Sequence, residues 1–368
     1  MDLLSIFIII ITSLFWLSGY YFLYRIPLCK LYPNFKEYPT VSIIVPARNE
    51  ELNIGKLLDS INLQPFQPDK VIVVNDCSTD KTKDISIEKG ARVIDSKPLP
   101  DGWLGKPWAC WQGAESSTSD LLIFLDADTV LEKVGLQKIV DTYVELCSGK
   151  DIVMSIAPYH KVEKLYEELS AIFNIIMTGS MNAFTPFRKT EPKGLFGPSL
   201  IVSHENYYRI NGHESVKDKI LENMFMAEKF RTEGISLKCF GGFGSLSFRM
   251  YPNGLKDLIN GWTKAFASGA EQISVVTLLN IIVWISSGFM ITIFFVVALF
   301  AETPNFIWPV LYGQYTVQIF WMLNRIGSFR VLGSFMFPLH LIFFSLVFTR
   351  SLLYKLFNRK IEWKSRKV

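Results

Sequence analysis

The sequence predicts an α/β protein, a mostly parallel sheet set between apolar helices long enough to cross a membrane. Three observations predict it. Between residues 41 and 156, short β-rich runs alternate with segments of helical spacing. Those runs are apolar on both faces, the pattern of parallel strands covered by helices on both sides. The remaining apolar residues cluster at the two ends of the 368-residue chain, in runs of about the 20 residues that span a bilayer as a helix.

Leu3 to Tyr24 is a 22-residue run without a charge. Asp2 rather than a basic residue precedes it, and no small-residue cleavage site follows, so residues 1–24 read as a retained anchor. Residues 25–272 have ordinary globular composition, enough for a core of their own. Three further apolar runs follow within 273–349: Ile273–Phe300, Asn305–Leu323 and Val331–Thr349. The last two, at 19 residues each, are near the short limit for a span, and buried or re-entrant helices are the weaker alternative for them. Residues 350–368 form a basic tail in which seven of 19 residues are Lys or Arg. Arg25, Lys30 and Lys36 after the first run, and the tail, favour the cytosolic side of a cell membrane. Three full crossings after the globular part would strand that tail outside, so one run is expected to be re-entrant or interfacial.

Within the globular part, VSIIV (41–45), KVIVVN (70–75), Ala91–Ile94, Asp120–Leu125 and Asp151–Ile156 read as strands. Helices are expected after Glu50, after Asp80, over Lys106–Glu115 and near Val134–Leu146. A formal charge of +4 does not point to nucleic acid, and five cysteines without a CxxC point to neither a zinc site nor a disulfide framework.

In open parallel sheets, ligands bind outside the carboxyl ends of the strands. Three polar clusters fall there: Pro46-Ala47-Arg48-Asn49-Glu50, Asn75 to Asp80, and Asp126-Ala127-Asp128. Two acids one residue apart raise each other's pKa unless a cation lies between them. Carboxylate oxygens with open water sites suit Mg2+ or Mn2+ bridging to substrate phosphates. The alternative for Asp128 is to cap the following helix. Asp76 can accept from a nucleobase N–H or cap its own helix, although Ser78 and Asp80 are better placed to cap. Glu50 is open between a first-turn helix acid and a base or ribose contact. Lys106 could meet a phosphate or be a solvated surface lysine.

VPARNE, VNDCSTD and FLDADT, in this order, resemble family 2 glycosyltransferases with the A-type, Rossmann-like nucleotide-sugar fold. GWLGKPWACWQGA, FGPSLIVSHENYYRINGH, SFRMYPNGLKDLINGWTKAFASGA and IEWKSR resemble the lipid-modifying membrane branch of that family. Its members act on C30 carotenoid acids and, more loosely, on ceramide. The resemblance implies an inverting, metal-dependent transfer of a hexose, glucose from UDP-glucose, to a lipid acceptor such as a carotenoid carboxyl. It also implies that Pro46 and Glu50 line a uridine site, Asp76 holds the uracil edge and Lys106 lies near the nucleotide. Asp126 would contact ribose or the metal shell, and Asp128 would bind the divalent ion.

Many relatives carry Glu-Asp late in the domain, with the Asp as general base. Here Glu222-Asn223 stands there, and Glu222 is the remaining candidate. A carboxylate acceptor, deprotonated near pH 7, would lessen the need for a base. His213, after Asn211-Gly212, could reach the acceptor or a phosphate, and reads more readily as a turn or packing residue. Trp262 and Lys264 read as membrane-surface anchors near a lipid entry, and Trp363, Lys364 and Arg366 as a tail that folds back on the diphosphate or binds headgroups. A processive polysaccharide synthase is the weaker alternative, because the Gln and Arg of a Gln-x-x-Arg-Trp motif are replaced by Leu258 and Gly261 before Trp262. A non-catalytic membrane binding protein is disfavoured by the intact acids Asp76, Asp126 and Asp128.

Overall fold

A computed structural model describes residues 3–32, 35–186, 191–219, 221–269, 274–301, 306–357, 362–363 and 366–367. In chain order the elements are α1 (Leu3–Leu17), β1 (Val41–Ala47), α2 (Ile54–Asn62), β2 (Lys70–Asn75), α3 (Thr82–Glu88), β3 (Arg92–Asp95), α4 (Gly105–Glu115), β4 (Leu121–Leu125), β5 (Thr129–Leu131), α5 (Gly135–Cys147), β6 (Ile152–Ala157) and β7 (Tyr159–His160). Then follow α6 (Ala171–Ser180), β8 (Ser199–Ser203), α7 (His204–Arg209), α8 (Glu222–Thr232), β9 (Ser236–Gly241), β10 (Leu246–Phe248), α9 (Leu255–Gly269), α10 (Val275–Leu299), α11 (Ile307–Ile326), α12 (Val331–Phe335), α13 (Phe337–Leu356), β11 (Glu362–Trp363) and β12 (Arg366–Lys367). The chain divides into two compact units, one of residues 27–160, 191–249 and 362–368, the other of residues 1–26, 161–190 and 250–361. The stretch read as one globular domain over 25–272 contributes to both.

The first unit holds a seven-stranded sheet in the order β3-β2-β1-β4-β8-β6-β9. β1 pairs parallel with β2 and β4, β2 with β3, and β6 with β9. β8 runs antiparallel to both β4 and β6, so the sheet is mostly and not wholly parallel. All five residues of β4 are buried, as its uninterrupted apolar run requires of a central strand. One face of the sheet packs under α2 and α5, where Ile43, Val45, Leu57, Ile61, Ile123 and Ile139 meet. Helix α4 lies close on β1 and β2 because Gly113 has no side chain: a Cβ there would sit 2.4 Å from Ile44 Cγ2 and 3.2 Å from Val74 Cγ2. A second, three-stranded sheet places β10 between β5 and β7.

The expected helix near Val134–Leu146 starts at Gly135, after the separate strand β5. Asp128 therefore lies in the turn before a strand and caps no helix. Asp80, not Asp76, serves α3: its Oδ1 accepts from Thr82 N at 3.0 Å. In the tail, Glu362–Trp363 pairs antiparallel with Arg366–Lys367, and Lys364 lies outside the described residues.

Among the described residues of the second unit, three helices are long and apolar enough to cross a membrane: Leu3–Tyr21, Val275–Leu299 and Phe337–Leu356. The run Asn305–Leu323 corresponds to α11, whose Gln318 is fully buried and bridges Trp284 Nε1 (2.9 Å) and Trp16 O (3.1 Å). The run Val331–Thr349 is divided at Met336 into α12 and α13, with Pro338 in the first turn of α13. Trp262 is not a membrane-surface anchor. It is 1% exposed, donates to Ser170 Oγ at 3.0 Å and stacks on Phe173 with ring centroids 4.8 Å apart. The amphipathic pattern marked the apolar face of α9 correctly, but protein covers that face, through α6 and α13. Trp262→Ala removes this packing and the indole bond together. We expect a loss of about 3–5 kcal/mol, read as a lowered midpoint of thermal unfolding in detergent, with Trp262→Phe less severe.

Candidate active site

The carboxyl ends of β2, β1 and β4 lie side by side. Ala47 pairs with Asn75, and Ile44 with Phe124, so the three polar clusters share one edge of the sheet. The β1 and β2 ends are tied together. Asn49, at φ 52°, donates its backbone N–H to Ser78 Oγ (3.1 Å), and its side-chain oxygen accepts from Thr79 N (2.8 Å). Asn enters the left-handed region more readily than most residues. Cys77 sits there too, at φ 52°, between Asp76 and Ser78. Arg48 donates to Asp76 O at 3.1 Å, with the Asp76 carboxylate 3.8 Å away. Glu50 accepts from Asn53 Nδ2 at 2.9 Å at the start of α2.

At the end of β4 the chain turns sharply. Asp126 O accepts from Thr129 N and Thr129 Oγ1, and Asp126 N donates to Pro198 O at 3.0 Å. The antiparallel return of β8 thus brings the Gly197-Pro198 loop onto the same edge. Beside it lies a concavity lined by Pro46, Lys106, Asp126, Glu222, Asn223 and His213, among others. Lys106, in the first turn of α4, is its electrostatic centre. Its ammonium lies 2.8 Å from Asp126 Oδ1, 2.9 Å from Glu222 Oε1 and 3.2 Å from Gly197 O. Burial works against the charge on this lysine, and Asp126 and then Glu222 outweigh it, holding its pKa well above the usual lysine range. Lys106 is therefore no solvated surface residue.

Glu222 opens α8 and is 4% exposed. Its Oε1 makes no hydrogen bond of good geometry, so the contact with Lys106 is mainly Coulombic. Asn223 donates its side-chain N–H groups to Phe196 O (2.9 Å) and Gly197 O (3.2 Å), fastening the loop. An Asn so committed cannot take a proton, which leaves Glu222 as the carboxylate of the pair.

The structure thus brings Pro46, Lys106, Asp126 and Glu222 to one concavity. Glu50 and Asp76 lie at the neighbouring strand ends, and the half-buried Asp128 lies in the turn, outside its lining.

Residues 42–212 match the family model Glycosyl transferase family 2. Over 339 residues the chain is 33% identical to 4,4'-diaponeurosporenoate glycosyltransferase of Staphylococcus aureus strain USA300, covering 90% of this chain and 89% of the relative. The chain belongs to glycosyl transferase family 2 and is a glycosyltransferase. The relative from S. aureus strain MRSA252 is likewise 33% identical over 339 residues, with the same coverage. Among solved structures, the mannosyltransferase of Pyrobaculum calidifontis, in complex with GDP-mannose and Mn2+, shares the fold at a TM-score of 0.54 and 14% identity. That match covers 95% of this chain and 96% of the other.

Among the described residues no group of three or more His, Cys, Asp or Glu converges as a metal cage. Asp126 and Asp128 offer hard carboxylate oxygens, partly exposed, at a strand end. Such a donor set fits Mg2+ or Mn2+ held by one or two carboxylates together with substrate phosphates.

Sequence reasoning gave no role to the Gly197-Pro198 loop or to Arg48, because their contacts come from distant segments. His213, read as a turn or packing residue, is packed in the interior and also lines the concavity. His213 is 2% exposed, and its ring meets Tyr207, whose hydroxyl accepts from His213 N (3.2 Å) and lies 2.9 Å from Nδ1. Gly212, at φ 43°, permits this: a Cβ there would fall 2.3 Å from Tyr207 Cζ. Burial first, and the Lys106 charge second, press the His213 pKa down to about 3. The folded state therefore binds fewer protons than the unfolded one below the ordinary His value of about 6.5. His213 should cost stability progressively as pH falls from about 6.5 toward 3, at up to about 1.4 kcal/mol per pH unit. Unfolding midpoints measured from pH 7.5 to 5 should fall less steeply for His213→Gln than for the wild type.

Proposed function

We propose that this glycosyltransferase moves glucose from UDP-glucose to the carboxyl of an apolar carotenoid acid, 4,4'-diaponeurosporenoate or a close analogue, with inversion. The observation that carries the reading is a single ammonium held between two carboxylates at the carboxyl edge of the sheet. The near-full-length likeness to the S. aureus enzymes supports the acceptor. On this reading Pro46 and Glu50 line the uridine, Asp76 takes the uracil edge and Lys106 attends the diphosphate. Asp126 and Asp128 would hold Mg2+ or Mn2+, which would supply charge neutralisation on the diphosphate.

The chain's own residues then divide the work. The Lys106 ammonium, kept protonated by its acidic neighbours, stabilises negative charge where the leaving group departs. Glu222 is the carboxylate on the acceptor side and takes a proton where the acceptor brings one. A carotenoid acid arrives ionised near pH 7 and brings none. The apolar helices α1, α10 and α13 suit a cell-membrane enzyme whose catalytic part faces the cytosol, where UDP-sugars and basic flanking segments would be found.

The test is transfer by full-length protein in detergent, with UDP-glucose, Mn2+ or Mg2+, and separate lipid acceptors, read by mass spectrometry as acceptor plus one hexose. Product is expected on the C30 carotenoid acid and is lost with EDTA or in Asp128→Asn. Glu222→Gln should lower transfer to a hydroxyl acceptor by about 10²–10⁴-fold and transfer to the carotenoid acid far less. Product on ceramide alone would overturn the acceptor, and a growing sugar polymer would overturn single transfer.

A further inference from the structure

Lys106 and Glu222 are unequally placed. The lysine side chain is 36% exposed, the glutamate side chain 5%, and their charged atoms are 2.9 Å apart. The lysine is therefore the more open partner and the carboxylate the more enclosed one. The concavity beside them measures about 210 Å3 even with its solvent-facing space included. Ligand sites of this kind usually occupy roughly 300–1,000 Å3, so an acceptor group reaching Glu222 through this concavity has little room beside the lysine. The most adaptable group there is the lysine, a compact charge on a flexible four-carbon stem. Glu222 and Asn223 are fixed by burial and by the Asn223 bonds to the 196–197 loop.

We propose that Lys106 is a shared cation, for which the buried Glu222 carboxylate and the donor's diphosphate compete, so that donor binding is what uncovers Glu222 to the acceptor. The proposal rests on the diphosphate-sugar reading given above and adds an order of events to it. Before the donor enters, the ammonium neutralises Glu222 and covers it. A diphosphate offers more negative charge and draws the ammonium away. No covalent step is involved. Lys106 touches the donor on this view, and its second effect is on access to Glu222.

Competition has a consequence that a packing role does not share, and its dependence on Lys106 separates it from simple charge repulsion. Removing the Glu222 charge should strengthen the binding of a nucleotide that Glu222 does not touch. The experiment is a double-mutant cycle on full-length protein in detergent, with UDP as the probe and calorimetric affinity as the readout, with and without Mn2+. Glu222→Gln is expected to bind UDP about fivefold tighter than wild type or better, within the coupling usual for groups sharing a partner. Lys106→Met should bind UDP more weakly, and in that background Glu222→Gln should add nothing. The double variant removes both charges, so it escapes the cost of an unpaired buried carboxylate. Lys106→Arg should keep the gain from Glu222→Gln, because it keeps the cation. A Glu222→Gln protein that binds UDP as the wild type does, or more weakly, overturns the competition while leaving the donor reading intact. A wild type that binds neither UDP nor GDP overturns the donor reading and this proposal with it.

Discussion

One ammonium between two carboxylates organises the candidate site. Lys106 comes from α4, Asp126 from the turn after β4 and Glu222 from the start of α8, and they meet within hydrogen-bonding distance. An unpaired buried ion costs several kcal/mol, and Lys106 supplies the counter-charge to the enclosed Glu222. The three elements are therefore held in register by charge as well as by packing. Gly197 O, which also accepts from Lys106, extends the arrangement to the loop before β8.

The sheet makes that meeting possible. Parallel β2, β1 and β4 end on the same side, so their polar clusters share an edge. The antiparallel β8 reverses the chain direction, and its leading loop reaches the edge from the opposite sense. Asp126 N bonding to Pro198 O joins the two. Where a second acid would be free to act as base, Asn223 spends both side-chain N–H groups on that loop. The position has become a fastening, and the chemistry of the pair falls to its neighbour.

Much of this was legible in the sequence, for reasons that can be given residue by residue. LLIFL read as a buried strand, because it falls in an alternation of strands and helices and its five successive apolar residues need cover on both faces, which put Asp126 at the ligand edge. His213, after Asn211-Gly212, read as a packing residue and is one. Trp262 did not read correctly. Periodicity shows that one face of a helix is apolar and cannot show whether lipid or protein covers it; here Phe173 and Ser170 do. The weaker reading of Asp128, as a helix cap, fails because the three-residue strand β5 intervenes before α5.

By itself the sequence determined the class of fold, the edge on which the chemistry lies and the acids that end each strand, since these follow from local patterns of burial and turn chemistry. Only the tertiary structure decided which charges meet. Residues 106, 126 and 222 are separated by many turns of chain, and Coulomb interaction acts through space. Whether Lys106 reads as a solvated lysine or as the cation of a half-buried triad depends on a few ångströms that α4, β4 and α8 set together.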